Sequence, residues 1–162
     1  MARALIVGCG CRGRELGRKL RDGGWQVRGT SRDEAALDVI QDAGLEPAAA
    51  DPDRPGTILE LCGEVAVVVW LLGSAAGNPE LVAAIHGPRL ERLLENLVDT
   101  PVRGFVYESD GSVAPGLLRE GREIVERAAT RWRIPAGFIE EGRDQPGWPA
   151  RAAGIVTGLL AA

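Results

Sequence analysis

The chain has 162 residues, a net charge of −4, 45% hydrophobic and 26% charged residues. This is the length of one domain and the composition of an ordinary soluble globular protein. The charge gives no pull toward nucleic acid or an anionic membrane, and no apolar run reaches membrane-spanning length.

Taken in order, the elements alternate between strand and helix. Ala4 to Val7 reads as a first strand ending at Gly8, and Arg12 to Asp22 as a helix with Leu16 and Leu20 on one face. Gly23 and Gly24 stop that helix, and Trp25 to Gly29 is a second strand. Asp33 to Asp42 is a helix with Ala36, Leu37 and Ile40 inward, closed by Gly44. Leu45 to Ala49 is a weak third strand, and Pro55 to Leu61 a short helix. Val65 to Leu71 is a fourth strand whose unbroken apolar character implies cover on both faces. Pro88 opens a helix carrying Leu90, Leu93, Leu94 and Leu97. Gly104 to Tyr107 is strand five, and Pro115 to Trp132 a long helix with Leu118, Ile124, Val125 and Ala128 inward. Ala136 to Ile139 is strand six, Glu140 to Trp148 is irregular, and Pro149 to Leu160 is a last helix. Six strands and six helices predict an α/β fold: one doubly wound parallel sheet in a single domain over 1–162. Right-handed crossovers favour the Rossmann strand order 3-2-1-4-5-6.

Gly8-Cys9-Gly10-Cys11-Arg12-Gly13 matches G-x-G-x-x-G directly after a strand and at the opening of a helix. In that setting Gly8 serves the tight turn, Gly10 lets backbone approach a pyrophosphate, and Gly13 lets helix and sheet pack closely. The pyrophosphate accepts hydrogen bonds at the helix N-terminus, where the dipole favours negative charge. A glycine-rich turn without a ligand is the bland alternative. Strand two ends in Gly29-Thr30-Ser31-Arg32, where an NAD protein usually carries an acid. A hydroxyl and a guanidinium suit a 2′-phosphate, so Thr30, Ser31 and Arg32 point to NADP over NAD. Asp33 and Glu34 read as the cap and first turn of the next helix. Arg12 adds a second positive contact, Asp51 approaches the adenine edge, and Leu72 and Gly73 follow strand four beside the nicotinamide. The Gly73 to Gly77 stretch is small enough for a ring to approach.

The run from Ala4 to Arg32, ALIVGCGCRGRELGRKLRDGGWQVRGTSR, resembles the atypical and extended short-chain dehydrogenase/reductase superfamily. Its GGW and GTSR segments are similar to small NAD(P)-binding Rossmann proteins related to sugar-nucleotide epimerases. VRGFVYESDGSV and IPAGFIEEGR resemble the fifth and sixth strands of that superfamily with their following turns. The resemblance implies a Tyr-x-x-x-Lys pair on the helix after strand five, which this chain lacks. Tyr107, the one tyrosine, falls inside strand five, and Lys19, the one lysine, on helix one. Aligning Glu126 with the acid common in that helix puts Leu118 at the tyrosine position and Arg122 at the lysine position. The C-terminal substrate domain of extended members finds no room before the chain ends.

The other chemistry-bearing residues are sparse. Cys9 and Cys11 with the distant His86 fall short of four metal ligands, so no metal is expected; the odd count of three cysteines, with Cys62, fits a reducing cytoplasm. Cys9 and Cys11 flank the pyrophosphate site. His86, the only histidine, sits in a connection with no paired carboxylate evident. Ser74 follows strand four, and Ser109 and Asp110 follow strand five, where the crevice opens. Ser109 and Arg122 are the only catalytic candidates, and a turn role for Ser109 competes with that reading. Three functions follow: an NADP(H)-binding protein without tyrosine-based dehydrogenase chemistry; an NADPH-dependent reductase of a flavin-like or other small planar acceptor; or a structural module that binds no nucleotide. The expected partners are a nicotinamide dinucleotide and a small-molecule substrate, with neither nucleic acid nor membrane. A homodimer through the leucine-rich or C-terminal helix stays open.

Overall fold

The computed structural model describes residues 1–161. Six strands form one parallel sheet: β1 (Arg3–Val7), β2 (Gln26–Ser31), β3 (Glu46–Ala49), β4 (Val67–Trp70), β5 (Gly104–Glu108) and β6 (Ala136–Ile139). Their order is β3-β2-β1-β4-β5-β6, with the chain reversing direction across the sheet between β1 and β4. This is the predicted Rossmann arrangement.

Burial explains the strand sequences. Leu5 and Val7 of β1, with Val68 and Trp70 of β4, enter one core. Ala4, Ile6, Val67 and Val69 enter the other. Successive residues of a strand point to opposite faces, so a strand covered on both sides must be apolar throughout. Helices α3 (Pro55–Leu59), α5 (Pro88–Leu97) and α6 (Pro115–Trp132) cover the first face. Helices α1 (Cys11–Asp22), α2 (Glu34–Asp42) and α7 (Trp148–Gly158) cover the second. The apolar positions predicted for α1, α5 and α6 are all buried. In α2 only Ile40 is fully buried, and Ala36 faces a cleft instead.

One helix is missing from the sequence expectation. Residues Pro79–Ile85 form α4, where a connection was expected. Its start carries a legible signal: Asn78 caps it by accepting from the Glu80 amide, and Pro79 occupies the first turn. The indole of Trp70 donates to the Ile85 carbonyl at 3.0 Å and ties the end of α4 to β4. No helix among the described residues is long and apolar enough to cross a membrane.

Candidate functional site

The strand ends open onto a cleft of about 380 Å³ whose walls include Gly8, Gly10, Thr30, Ser31, Arg32 and Asp51. At the first turn, Gly8 has φ +91°, and a Cβ there would lie 2.5 Å from the Leu71 carbonyl oxygen. Gly13 lies against the strand, where a Cβ would come 3.1 Å from the Gly8 carbonyl oxygen. The fold thus requires glycine at Gly8 and leaves only tight room for a side chain at Gly13. Gly10 is different: a Cβ there meets nothing within 4 Å among the described residues, and its φ of −81° is open to any residue. Gly10 also caps α1 without a side chain, and no acid stands in the first turn. The opening amides of a helix have no intrahelical acceptor, so this end carries unsatisfied donors and the positive end of the dipole.

Of the predicted contacts, Gly8, Gly10, Thr30, Ser31, Arg32, Asp51 and Leu72 line the cleft, whereas Cys11, Arg12, Gly13 and Gly73 do not. Arg12 turns away and pairs with Glu15 at 2.8 Å. Arg14, two residues along α1, takes a place in the wall. Cys11 is exposed. Gly73 packs into the sheet end, where a Cβ would lie 2.3 Å from the Asp110 carbonyl oxygen.

At the β2 end, the Ser31 hydroxyl oxygen accepts from the Asp33 amide at 3.1 Å, which leaves its hydrogen free to donate. Asp33 caps α2 by accepting from Ala35, as its position predicts. Arg32 is exposed and makes no ion pair among the described residues, while lining the cleft. Asp51 Oδ1 accepts from the Asp53 amide at 2.9 Å, so a turn already uses one carboxylate oxygen.

At the β4 end, Leu72 and Ser74 form the floor, and Leu81, Val82 and Ile85 of α4 form an apolar wall. His86, at the end of α4, is fully buried. Its Nε2 lies 2.9 Å from the Leu72 carbonyl and its Nδ1 lies 2.6 Å from the Tyr107 hydroxyl. A carbonyl can only accept, so Nε2 carries the hydrogen and Nδ1 accepts from the tyrosine. Burial lowers the imidazole pKa below its ordinary value. It also raises the Tyr107 phenol, helped by the carboxylates of Glu108 and Glu120. The pair fixes the floor of the cleft and does not open onto it.

Two charged residues escaped the sequence reading. Strand β5 runs one residue beyond its expected end, to Glu108, which is fully buried. Arg143, from the irregular stretch before α7, binds it with two hydrogen bonds of 2.7 and 2.8 Å and lines the cleft. An acid continuing an apolar strand was a visible signal for Glu108. Arg143 had none, because its partner lies 35 residues away.

Ser109 and Arg122 share a separate depression of about 350 Å³ with Asp110 and Glu140. The Ser109 hydroxyl donates to the Ile139 carbonyl at 3.3 Å. Arg122 pairs with Glu126 and Glu140 and lies over the Phe138 ring at 4.2 Å. Neither residue reaches the cleft. Cys9 is buried against the sheet, and desolvation pushes its thiol up to about 12 despite nearby Arg14. Cys9 lines the cleft although Cys11 does not. Among the described residues, no group of three or more His, Cys, Asp or Glu is placed to hold a metal ion.

No protein-family model matches the chain, and no curated protein matches it. Solved structures do share its fold. A Citrobacter sp. triphenylmethane reductase complexed with NADP(H) superposes with TM-score 0.62 at 17% identity, over 83% of this chain and 48% of that one. A Bacillus cereus UDP-glucuronic acid 4-epimerase in complex with NAD gives 0.67 at 17%, over 84% and 54%. A Streptomyces avermitilis short-chain dehydrogenase gives 0.68 at 18%, over 99% and 84%. The chain therefore shares a Rossmann fold with these proteins. It spans about half the length of the triphenylmethane reductase.

Proposed function

We propose that residues 1–162 are one domain that binds a nicotinamide dinucleotide in the cleft, NADP(H) in preference to NAD(H). The observation that carries this reading is Gly10. The fold itself crowds Gly8 and Gly13, but nothing among the described residues crowds Gly10. Its bare backbone faces a cleft that begins at an uncapped, acid-free helix N-terminus, which suits a pyrophosphate. Arg32 and the free Ser31 hydrogen, at the β2 edge of the cleft, suit a 2′-phosphate, and no carboxylate of β2 competes for a 2′-hydroxyl.

This reading involves no tyrosine-based proton relay. Tyr107 is sealed in the core with its hydroxyl held by His86, and Lys19 is on α1. The dinucleotide reading therefore does not depend on dehydrogenase chemistry of that kind. A second reading is a reductase that passes hydride to a small planar acceptor. It is favoured by the apolar wall of Leu81, Val82 and Ile85 at the β4 end, and positioning alone can give large rate gains.

Calorimetric titration of wild type and Arg32→Ala with NADPH and NADH tests the main reading. Wild type is expected to prefer NADPH. The variant should lose about 10- to 150-fold of that affinity, the worth of charge-assisted hydrogen bonds, with NADH unaffected. Equal wild-type affinities would overturn the NADP preference, and no binding of either would overturn the dinucleotide reading. Oxidation of NADPH with a flavin or a triphenylmethane dye would establish the second reading.

A further inference from the structure

A carboxylate buried inside a parallel sheet is costly unless it is paired and hydrogen-bonded. Glu108 meets that demand through Arg143, whose Nε donates to Oε2 at 2.7 Å while Nη2 donates to Oε1 at 2.8 Å. The Gly73 amide donates to the same Oε1 at 2.7 Å. Nη2 also donates to the Leu71 carbonyl at 3.1 Å. These bonds use the Nε hydrogen and both Nη2 hydrogens. Nη1 donates to nothing among the described residues and is not sealed from solvent. The side chain is 25% exposed, and Arg143 lines the cleft.

The position of this free edge follows from topology. The Leu71 carbonyl that anchors Arg143 is the same one that crowds Gly8. Strands β2 and β3, which lead into Arg32 and Asp51, lie on one side of β1, and β4 to β6 on the other. Arg143 follows β6, so it stands on the side away from the proposed 2′-phosphate contacts. We infer that Arg143 is a binding residue for the nicotinamide mononucleotide half of the dinucleotide, its Nη1 donating to an oxygen of that half. The inference rests on the dinucleotide reading above. Glu108 offsets the charge of the guanidinium, so Arg143 contributes direction more than field. Its plane is already fixed on two sides, so little side-chain freedom is lost on binding.

Two variants test this, each checked for a cooperative melt. Glu108→Gln with Arg143→Met removes both charges together. Arg143→Lys keeps a cation for Glu108 but lacks the second donor edge. Calorimetry then measures affinity for NADPH and for adenosine 2′,5′-bisphosphate, which carries the adenosine half alone. Both variants should bind NADPH about tenfold or more weakly and the bisphosphate within about twofold of wild type. Unchanged NADPH affinity in a folded variant overturns the role of Arg143 while leaving the dinucleotide reading intact. An equal loss for both ligands also overturns it, because the pair would then act only through the fold. Wild type that binds neither NADPH nor NADH removes the dinucleotide reading and this inference with it.

Discussion

Replacing Gly10 with alanine separates a ligand requirement from a folding requirement at a single methyl group. The backbone at Gly10, φ −81° and ψ −157°, lies in extended space that alanine adopts. The added Cβ meets no atom of the described residues within 4 Å. Restricting the unfolded chain should stabilise by about 0.4–1 kcal/mol. Alanine is a poorer cap than glycine, and at this N-cap the loss is of similar size, roughly up to 1 kcal/mol. The two effects offset, so the melting temperature without ligand should stay within about 2 °C of wild type for a chain of this length. A bound pyrophosphate changes the outcome, because the methyl then projects where a phosphate approaches the backbone. Overpacking of that kind costs about 1–3 kcal/mol, or about 5- to 150-fold in NADPH affinity. Calorimetric titration and thermal melting of the same preparation read both quantities. Gly13→Ala is the contrast: its Cβ comes 3.1 Å from the Gly8 carbonyl oxygen, so stability should fall as well. Wild-type NADPH affinity in a normally melting Gly10→Ala variant would refute the close-approach argument.

Other consequences follow from the buried His86–Tyr107 pair. His86 is the only histidine, and its folded pKa is lowered by desolvation. A group neutral in the folded state and protonated in the unfolded one contributes stability above its unfolded pKa of about 6.5. That stability should fall as pH drops from about 7 toward 5.5, with a slope of at most about 1.4 kcal/mol per unit. Urea unfolding across this window should show the slope in wild type and lose it in His86→Gln; an identical slope in both would assign it elsewhere. Tyr107→Phe leaves Nδ1 buried without a donor and should cost about 1–3 kcal/mol in the same assay. On α6, a Cβ at Gly121 would lie 2.0 Å from the Tyr107 hydroxyl oxygen. Gly121→Ala should therefore destabilise by about 1–3 kcal/mol. The double variant with Tyr107→Phe should be more stable than the sum of the two losses predicts, and strict additivity would contradict the contact.

Much of this architecture is legible in local pattern. Strands covered on both faces must be apolar at consecutive positions, which is why Ala4 to Val7 and Val65 to Leu71 stand out. Helices covering them must show apolar residues three and four apart, as in Leu90, Leu93, Leu94 and Leu97. The glycine loop is legible because the tight turn and helix–sheet packing each exclude a side chain at a fixed spacing. The right-handed crossover then leaves few strand orders to choose from.

Orientation and partnership across the sheet required the tertiary structure. Arg12 and Arg14 are equivalent as letters, but rotation along α1 sends one to Glu15 and the other to the cleft wall. Ser109 follows a strand end and Arg122 lies on the next helix, yet both fall into a depression separate from the cleft. His86 looked unpaired because its partners, Tyr107 of β5 and the Leu72 carbonyl just after β4, come from elsewhere in the chain. Glu108 and Arg143 meet only because β5 and β6 are neighbours and the chain turns back over their ends. The sequence by itself determined the elements, their order and the loop that opens α1, since these rest on spacing within one segment. Which charges face the cleft and which are spent on holding the fold was decided by the packing, because each depends on a contact between residues far apart in the chain.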